Sequence, residues 1–296
     1  MLVASLARST DAGAGSAPTA MAAIAANLSA QWPGYGLEFV PDCRELRSLD
    51  RWRLCFVHDL ARSAELRILA GESTIAEQRA VRLGDAFWLA PSERAQIRPA
   101  LDLLVFKVPE GPGQDCPPIL RPDFDPRLTD TPGGCATATD AYRRVMLTWL
   151  DRNGPYTARS INCHRVRMTD SFSHYHPREG GFEEFYLVHD VTPGACILWS
   201  SQVAAIEARA ATDPTTARAF IQHFVPSAGD LVFIPRGTMH RAIGGVFAHV
   251  VTIPGFVPAR EIGLDHHLRA ISESLGLRGD DALPYHVAAS LAPMVK

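Results

Sequence analysis

Ser171-Phe-Ser-His-Tyr-His-Pro-Arg-Glu-Gly-Gly-Phe-Glu-Glu-Phe-Tyr-Leu-Val188 is the stretch that decides how this chain folds and where its chemistry lies. His174 and His176 are two residues apart, so on an extended strand both imidazoles leave the same face. Pro177, Gly180 and Gly181 then mark a turn, and Glu183-Glu184 opens a returning strand that can bring a carboxylate beside the histidines. Strand alternation lets only one of the two glutamates point inward. Further on, Gly229-Asp-Leu-Val-Phe-Ile-Pro-Arg-Gly-Thr-Met-His240 reads as a strand and a tight turn that deliver a third imidazole. A lone histidine is ordinarily a satisfied core or surface residue. Four donors on strand-and-turn spacing are another matter. Three neutral imidazoles and one carboxylate suit a divalent first-row metal (Fe, Mn, Co, Ni, Cu or Zn), and the absence of a thiolate argues against a structural zinc knot.

Outward from that stretch, the chain divides into two β-rich segments. The first runs from Tyr35 to Lys107, with Leu54–Val57, Leu66–Leu69, Ala86–Leu89 and Leu103–Phe106 as its apolar runs. The second runs from Ile161 to Phe256, with Phe185–Val188, Cys196–Trp199, Leu231–Ile234 and His249–Ile253. Short apolar runs punctuated by Gly, Pro and polar clusters are the pattern of a sandwich or barrel. The segments echo one another: Gly84-Asp-Ala-Phe-Trp-Leu-Ala-Pro91 resembles Gly229-Asp-Leu-Val-Phe-Ile-Pro235, and His58 precedes Glu65 as His176 precedes Glu183. The first copy has Gln96 where a third histidine would fall, so the second copy is where the chemistry belongs.

Between the segments, Pro109, Pro112, Pro117, Pro118, Pro122, Pro126 and Pro132 forbid a helix interior or a central strand. Tyr142, Val145, Met146, Trp149 and Leu150 then recur at helical spacing, with Asn153-Gly154 as a stop, and predict a connecting helix used for packing. After Pro254 the tail predicts a short helix, with Asp265 as N-cap, a Leu268/Ile271/Leu275 stripe and Gly276 as terminator. His266 and His267 are adjacent on it, face different directions and are poorly placed to share a metal. The Ala- and Ser-rich first thirty residues read as a short helix or a frayed arm, without the basic start and apolar run of a secretory signal.

The 296 residues are 47% apolar and 21% charged, which excludes a largely disordered chain. With 29 basic and 32 acidic residues the formal charge is −3, so no global positive field draws in nucleic acid. No window holds the roughly 18 apolar residues that span a bilayer. The six cysteines (Cys43, Cys55, Cys116, Cys135, Cys163, Cys196) show no CxxC pair and point to a reducing compartment, the cytoplasm.

The two motifs resemble those of the cupin superfamily. The second cupin motif, G-x5-P-x-G-x2-H, is matched at each fixed position by Gly229, Pro235, Gly237 and His240. The first, G-x5-H-x-H-x3–4-E-x6-G, is matched less well: the gap to glutamate is longer, Met168 stands at the opening glycine, and the closing glycine is replaced near Asp190-Val191. The resemblance implies an all-β bicupin, two double-stranded β-helix (jelly-roll) barrels with a connecting helix and a short helical C-terminal tail. Its divisions are an arm at 1–34, a metal-free barrel at 35–107 that serves packing and dimerisation, a linker and helix at 108–160, a metal-binding barrel at 161–256 and a tail at 257–296.

By the same resemblance His174, His176, His240 and one glutamate carry over as metal ligands. Glu184, before Phe185-Tyr-Leu-Val, is preferred, and Glu183 is the alternative. The glutamate can double as ligand and base. Arg165, Arg167 and Tyr186 are weaker candidates for holding substrate. Arg178, Arg236 and Arg241 flank the motifs as solvated charges, and Trp199 and His249 can line the cavity or pack in the core. The implied function is a metal-dependent dioxygenase, with Fe(II) as cofactor (or Mn, Ni, Zn or Cu), acting on a small enol, diketone or aromatic substrate. A redox-neutral isomerase or lyase and a sugar- or small-molecule-binding module are the alternatives. A homodimer without nucleic-acid or membrane partners is expected.

Overall fold

The computed structural model describes residues 1–6, 17–71, 74–133 and 141–296. Of the described residues 44% are in strands and 16% in helices, and the strands include a nearly closed barrel sheet. Strand β1 (Leu2–Ser5) and helix α1 (Ala17–Gln31) come first. Six strands follow: β2 (Gly36–Arg47), β3 (Trp52–Val57), β4 (Ala64–Ala70), β5 (Thr74–Val81), β6 (Ala86–Leu89) and β7 (Glu93–Val108). The intervening segment holds β8 (Ile119–Leu120) and β9 (Arg143–Leu147). Next come β10 (Asn162–Asp170), β11 (His174–Tyr175), β12 (Glu183–Val191) and β13 (Cys196–Ser200). Helices α2 (Val203–Glu207) and α3 (Pro214–Arg218) lead to β14 (Gln222–Phe224), β15 (Asp230–Ile234) and β16 (Met239–Ile253). The tail carries β17 (Ile262–Gly263) and α4 (Asp265–Ser274). Every apolar run read from the sequence lies within one of these strands. Among the described residues no helix is long and apolar enough to cross a membrane.

The strands form a ten-stranded and a seven-stranded sheet with the same internal wiring. In the seven-stranded sheet the long strand β7 pairs with β2, β3 and β4, while β3 continues to β6 and β4 to β5. In the ten-stranded sheet the long strand β16 pairs with β10, β12 and β13, while β12 continues to β15 and β13 to β14. The echo in the sequence is therefore an echo of strand order. It extends to the turns: Asp85 accepts the Arg82 N–H at 3.0 Å, and Asp230 accepts the Ser227 N–H at 2.8 Å. The glycines ahead of them, Gly84 and Gly229, have φ of 90° and 89°, a region other residues reach only with strain.

Strand β16 changes layers at Gly244-Gly245. Met239–Ile243 pairs with β13, and Val246–Ile253 pairs with β10 and β12. A side chain at Gly244 would meet the Ala195 Cα at 2.8 Å, so the bend needs glycine.

One apolar core joins the two sheets. Phe56, Leu104 and Phe106 from one meet Phe185, Leu187, Phe233 and Val251 from the other, with Ile24 and Leu28 of α1 sealing one side. Phe106 and Phe185 meet edge to face at 5.3 Å between centroids. A second core, with Leu66, Phe87 and Ile97, fills the seven-stranded sheet. A third, with Val166, Tyr186, Val232 and Val250, fills the ten-stranded one.

Three expectations need correction. The connecting helix over 142–150 is strand β9, which pairs with β10 in register Cys163↔Leu147, because the open edge of β10 supplies backbone partners that a helix would leave unmet. Of the two readings of the first thirty residues, the helix holds as α1 and the frayed arm does not: β1 pairs with β15, and Ile24 and Leu28 are wholly buried. Asp265 is not the N-cap of α4, a position Leu264 takes. Its buried carboxylate instead accepts the N–H groups of Ser173 and His286, each at 2.8 Å, tying the tail to the strand before His174.

Candidate metal centre

His174, His176, Glu184 and His240 converge: one donor atom from each lies within 4.8 Å of every other. All four are buried, with exposures of 4, 1, 5 and 0%. The convergence follows from register. His174 pairs directly with His240 across β11 and β16, and Glu184 pairs with Thr252 of β16 and Ile234 of β15. The Gly237 N–H donates to the His176 carbonyl at 2.7 Å, so the turn that delivers His240 is fastened to the histidine pair. Gly237 has φ of 79°, and a Cβ there would meet Arg178 Nε at 2.9 Å.

Hydrogen bonding fixes the tautomers. His174 Nδ1 lies 3.0 Å from the Phe172 carbonyl and His240 Nδ1 3.2 Å from the Thr238 carbonyl. A carbonyl only accepts, so each Nδ1 carries the proton and each neutral ring turns an Nε2 lone pair inward. Burial pushes all three imidazoles below their ordinary range, His240 to about 4. Rings stack behind them: Phe172 on His174 at 4.4 Å and Phe182 on His176 at 3.9 Å between centroids.

Glu184 Oε2 lies 2.9 Å from His240 Nε2 and 3.4 Å from His176 Nε2, and none of the three atoms has a hydrogen-bond partner. Lone pairs facing a carboxylate in a buried site repel unless something positive stands between them. Burial pushes the Glu184 carboxyl up to about 7. A divalent cation satisfies all four donors at once. The residues fit a divalent transition metal.

The other candidates separate by strand parity. On β10, Val166 and Met168 face the barrel core, so Arg165 and Arg167 face away from the donors. Arg165 is buried against Asp123, at 2.6 Å, and over the Phe247 ring. Arg167 pairs with Asp190 at 2.9 Å. Neither reaches the site. Glu183 also points away: both its oxygens accept from Arg236, the backbone N–H at 2.9 Å and Nε at 2.8 Å. Tyr186 is inside, its ring 6.3 Å from that of His240. Trp199 sits directly opposite His240 on β13, while His249 packs on Phe56 and His189 in the other direction. His266 and His267 do not diverge as expected: their rings lie 4.0 Å apart between centroids, tilted on each other, and apart from the donor group. In the first copy His58 is buried, but Glu65 is exposed beside Arg67, and the two do not meet.

A cavity of about 360 Å³ reaches Glu184, and its wall holds residues the motifs gave no sign of: Arg143, Asn162, His164, Glu261 and Lys296. Glu261 Oε1 lies 3.9 Å from His174 Nε2, and burial raises its pKa. Asn162 and His164 share the inward parity of Val166 and Met168, a signal present in the sequence. Glu261 lies in the tail beyond any motif.

The fold and site define a β-barrel protein with a buried three-histidine, one-carboxylate group that can hold a divalent metal. No protein-family model matches the chain, and no curated protein matches it in sequence. Among solved structures it is similar to a variant of Bacillus subtilis oxalate decarboxylase, at 13% identity over 84% of this chain and 74% of that one, with a TM-score of 0.45. It is also similar to a cupin 2 conserved barrel domain protein from Leptotrichia buccalis, at 8% identity over 75% and 85%, with a TM-score of 0.45. Likenesses this weak carry no chemistry to this chain.

Proposed function

We propose that the protein is a two-barrel cupin whose second barrel binds Fe(II) through His174, His176, Glu184 and His240 and dioxygenates a small enol, diketone or aromatic substrate. The observation that supports this is the set of inward lone pairs at the end of an open cavity. A six-coordinate divalent metal held by these four donors would have two open positions, room for one substrate oxygen and one dioxygen side by side, and would supply the redox chemistry there. The chain's own part is to bind and orient. Phe172 and Phe182 hold the ring planes of His174 and His176, the Nδ1–H bonds hold the tautomers, and the apolar lining around Tyr186 keeps bulk water from the donors. We further propose a homodimer, and a cytoplasmic setting on the ground that Cys43, Cys55, Cys116, Cys163 and Cys196 are free thiols. Cys135 lies outside the described residues.

Glu261 favours a second reading, a redox-neutral isomerase or lyase. A half-buried carboxyl with a raised pKa beside His174 can hold a proton and exchange it with a substrate carbon or oxygen. Elemental analysis of anaerobically purified, tag-free protein, with dioxygen uptake measured on a panel of diketones and catechols, separates the two. About one iron per chain with substrate-dependent uptake supports the dioxygenase. Manganese, nickel or zinc without uptake supports the redox-neutral enzyme. Protein that neither carries nor accepts a metal overturns both.

A further inference from the structure

Of the four donors, His174 has the least support from the barrel itself. Glu184 and His240 sit in strands of nine and fifteen residues, and the His176 carbonyl is fastened to the Gly237 turn. Strand β11 is two residues long and pairs with β16 only at His174↔His240. Its other edge is covered by the tail, in register His174↔Gly263 and Tyr175↔Ile262. Ser173, the residue before it, gives both backbone groups to the tail. Its N–H donates to Asp265 Oδ2 and its carbonyl accepts the Leu264 N–H, each at 2.8 Å. Asp265 Oδ1 accepts the His286 N–H, also at 2.8 Å, so one side chain closes the tail on itself and on β11. Asp265 is wholly buried. A carboxylate in such a place is costly unless its oxygens are bonded, and here both partners are donors. A carboxylate has an acceptor for each; an asparagine has one accepting oxygen and would turn an NH2 group toward the second N–H.

We propose that Asp265 is a positioning residue for the donor group: through Ser173 it sets His174, so docking of the tail and binding of metal are linked and each strengthens the other. This rests on the reading of the four donors as a metal site and goes beyond it by assigning part of the site's geometry to a residue outside both motifs. The same stretch of tail carries Glu261 to 3.9 Å from His174 Nε2, so the clasp at Asp265 also sets that carboxyl.

Cobalt titration tests this on the native chain, Asp265→Asn and Ser272→Ala, with affinity read against a competing chelator and geometry from visible absorption. Ser272→Ala is the control: its hydroxyl makes buried bonds within the tail, to Leu268 and Leu283, rather than to β11. Hydrogen exchange follows the metal-free and cobalt-loaded forms. Asp265→Asn should weaken cobalt binding about tenfold and shift the visible bands. In the metal-free chain it should speed exchange at residues 172–176 about tenfold, with β4 unchanged. Ser272→Ala should do none of this. In the native chain cobalt should slow exchange at residues 262–265 more than in β4, and this arm alone decides if Asp265→Asn does not fold. Native affinity and bands in Asp265→Asn, the same losses in Ser272→Ala, or equal protection of the two segments overturns the proposal and leaves the metal reading standing. A native chain that takes up no cobalt overturns the metal reading, and exchange at residues 172–176 then decides. Faster exchange there in Asp265→Asn alone supports the positioning role, and no difference overturns it.

Discussion

At Glu183-Glu184 a single step along β12 sends one carboxylate to the histidines and its neighbour to the Arg236 turn. The two should respond differently to the same substitution. Glu184→Gln removes the charge that offsets a bound cation and should lower metal affinity about 100-fold, with little change in the melting temperature of the metal-free protein. Glu183→Gln removes a buried charged acceptor from Arg236 and should cost about 1–3 kcal/mol of stability by denaturant titration, with metal stoichiometry kept. His240→Ala and His176→Ala should both abolish stoichiometric metal while far-ultraviolet circular dichroism keeps its β signature. Full metal retention in either histidine variant would remove that residue from the donor set. The spacing of His174, His176 and His240 was legible in the sequence because strand parity and a fixed turn decide it. The choice of glutamate was not, since parity allows one of the two without saying which. Arg165 and Arg167 looked plausible only until Val166 and Met168 set the inward face of β10.

The repeated Gly-Asp turn shows what a single element contributes. Gly84 and Gly229 hold the same left-handed backbone, but a Cβ at Gly84 would also fall 2.5 Å from Arg165 Cζ. Gly84→Ala and Gly229→Ala should each cost about 1–2 kcal/mol from the backbone alone, and Gly84→Ala should cost more because Arg165 must move off Asp123. Asp85 gives this turn a pH signature. Burial raises its carboxyl to about 6 despite Arg121, Arg82 and Arg165 nearby. Its folded pKa lies above the ordinary 3.8, so the folded state holds the proton longer than the unfolded one, and stability from this group falls as pH rises from about 4 through 6. Asp85→Asn lacks that dependence, so its stability relative to the native chain should improve by up to about 3 kcal/mol between pH 4 and pH 7. A pH-independent difference in guanidinium titrations would show that the arginines win over burial at this turn. Strand β9 was the element the sequence hid. Tyr142, Val145, Met146 and Trp149 fit a helical stripe, and a five-residue strand is too short for alternation to contradict it. Only the unpaired edge of β10, a feature of the assembled sheet, decides the matter.

Across the whole molecule, the two sheets are held by an apolar core rather than by a tether. Phe56 meets Phe106 at 5.8 Å, Phe106 meets Phe185 at 5.3 Å and Phe185 meets Phe233 at 4.9 Å between centroids, so one ladder of rings crosses from the first sheet into the second. All four rings are fully buried. Phe185 lies beside Glu184 on β12, with its ring in the shared core and the carboxylate in the donor group. Loss of the first sheet would therefore open the floor under the metal site. Two consequences follow from that continuity. Calorimetry of the metal-free chain should show one cooperative transition, because neither sheet can expose its share of the ring ladder alone. Phe106→Ala, in the sheet that carries no donor, should destabilise the whole protein by about 3–5 kcal/mol and lower the temperature at which bound metal is released by the same margin as the unfolding transition. Two separate transitions, or metal release that ignores Phe106→Ala, would mean that the second sheet holds its donors without help from the first.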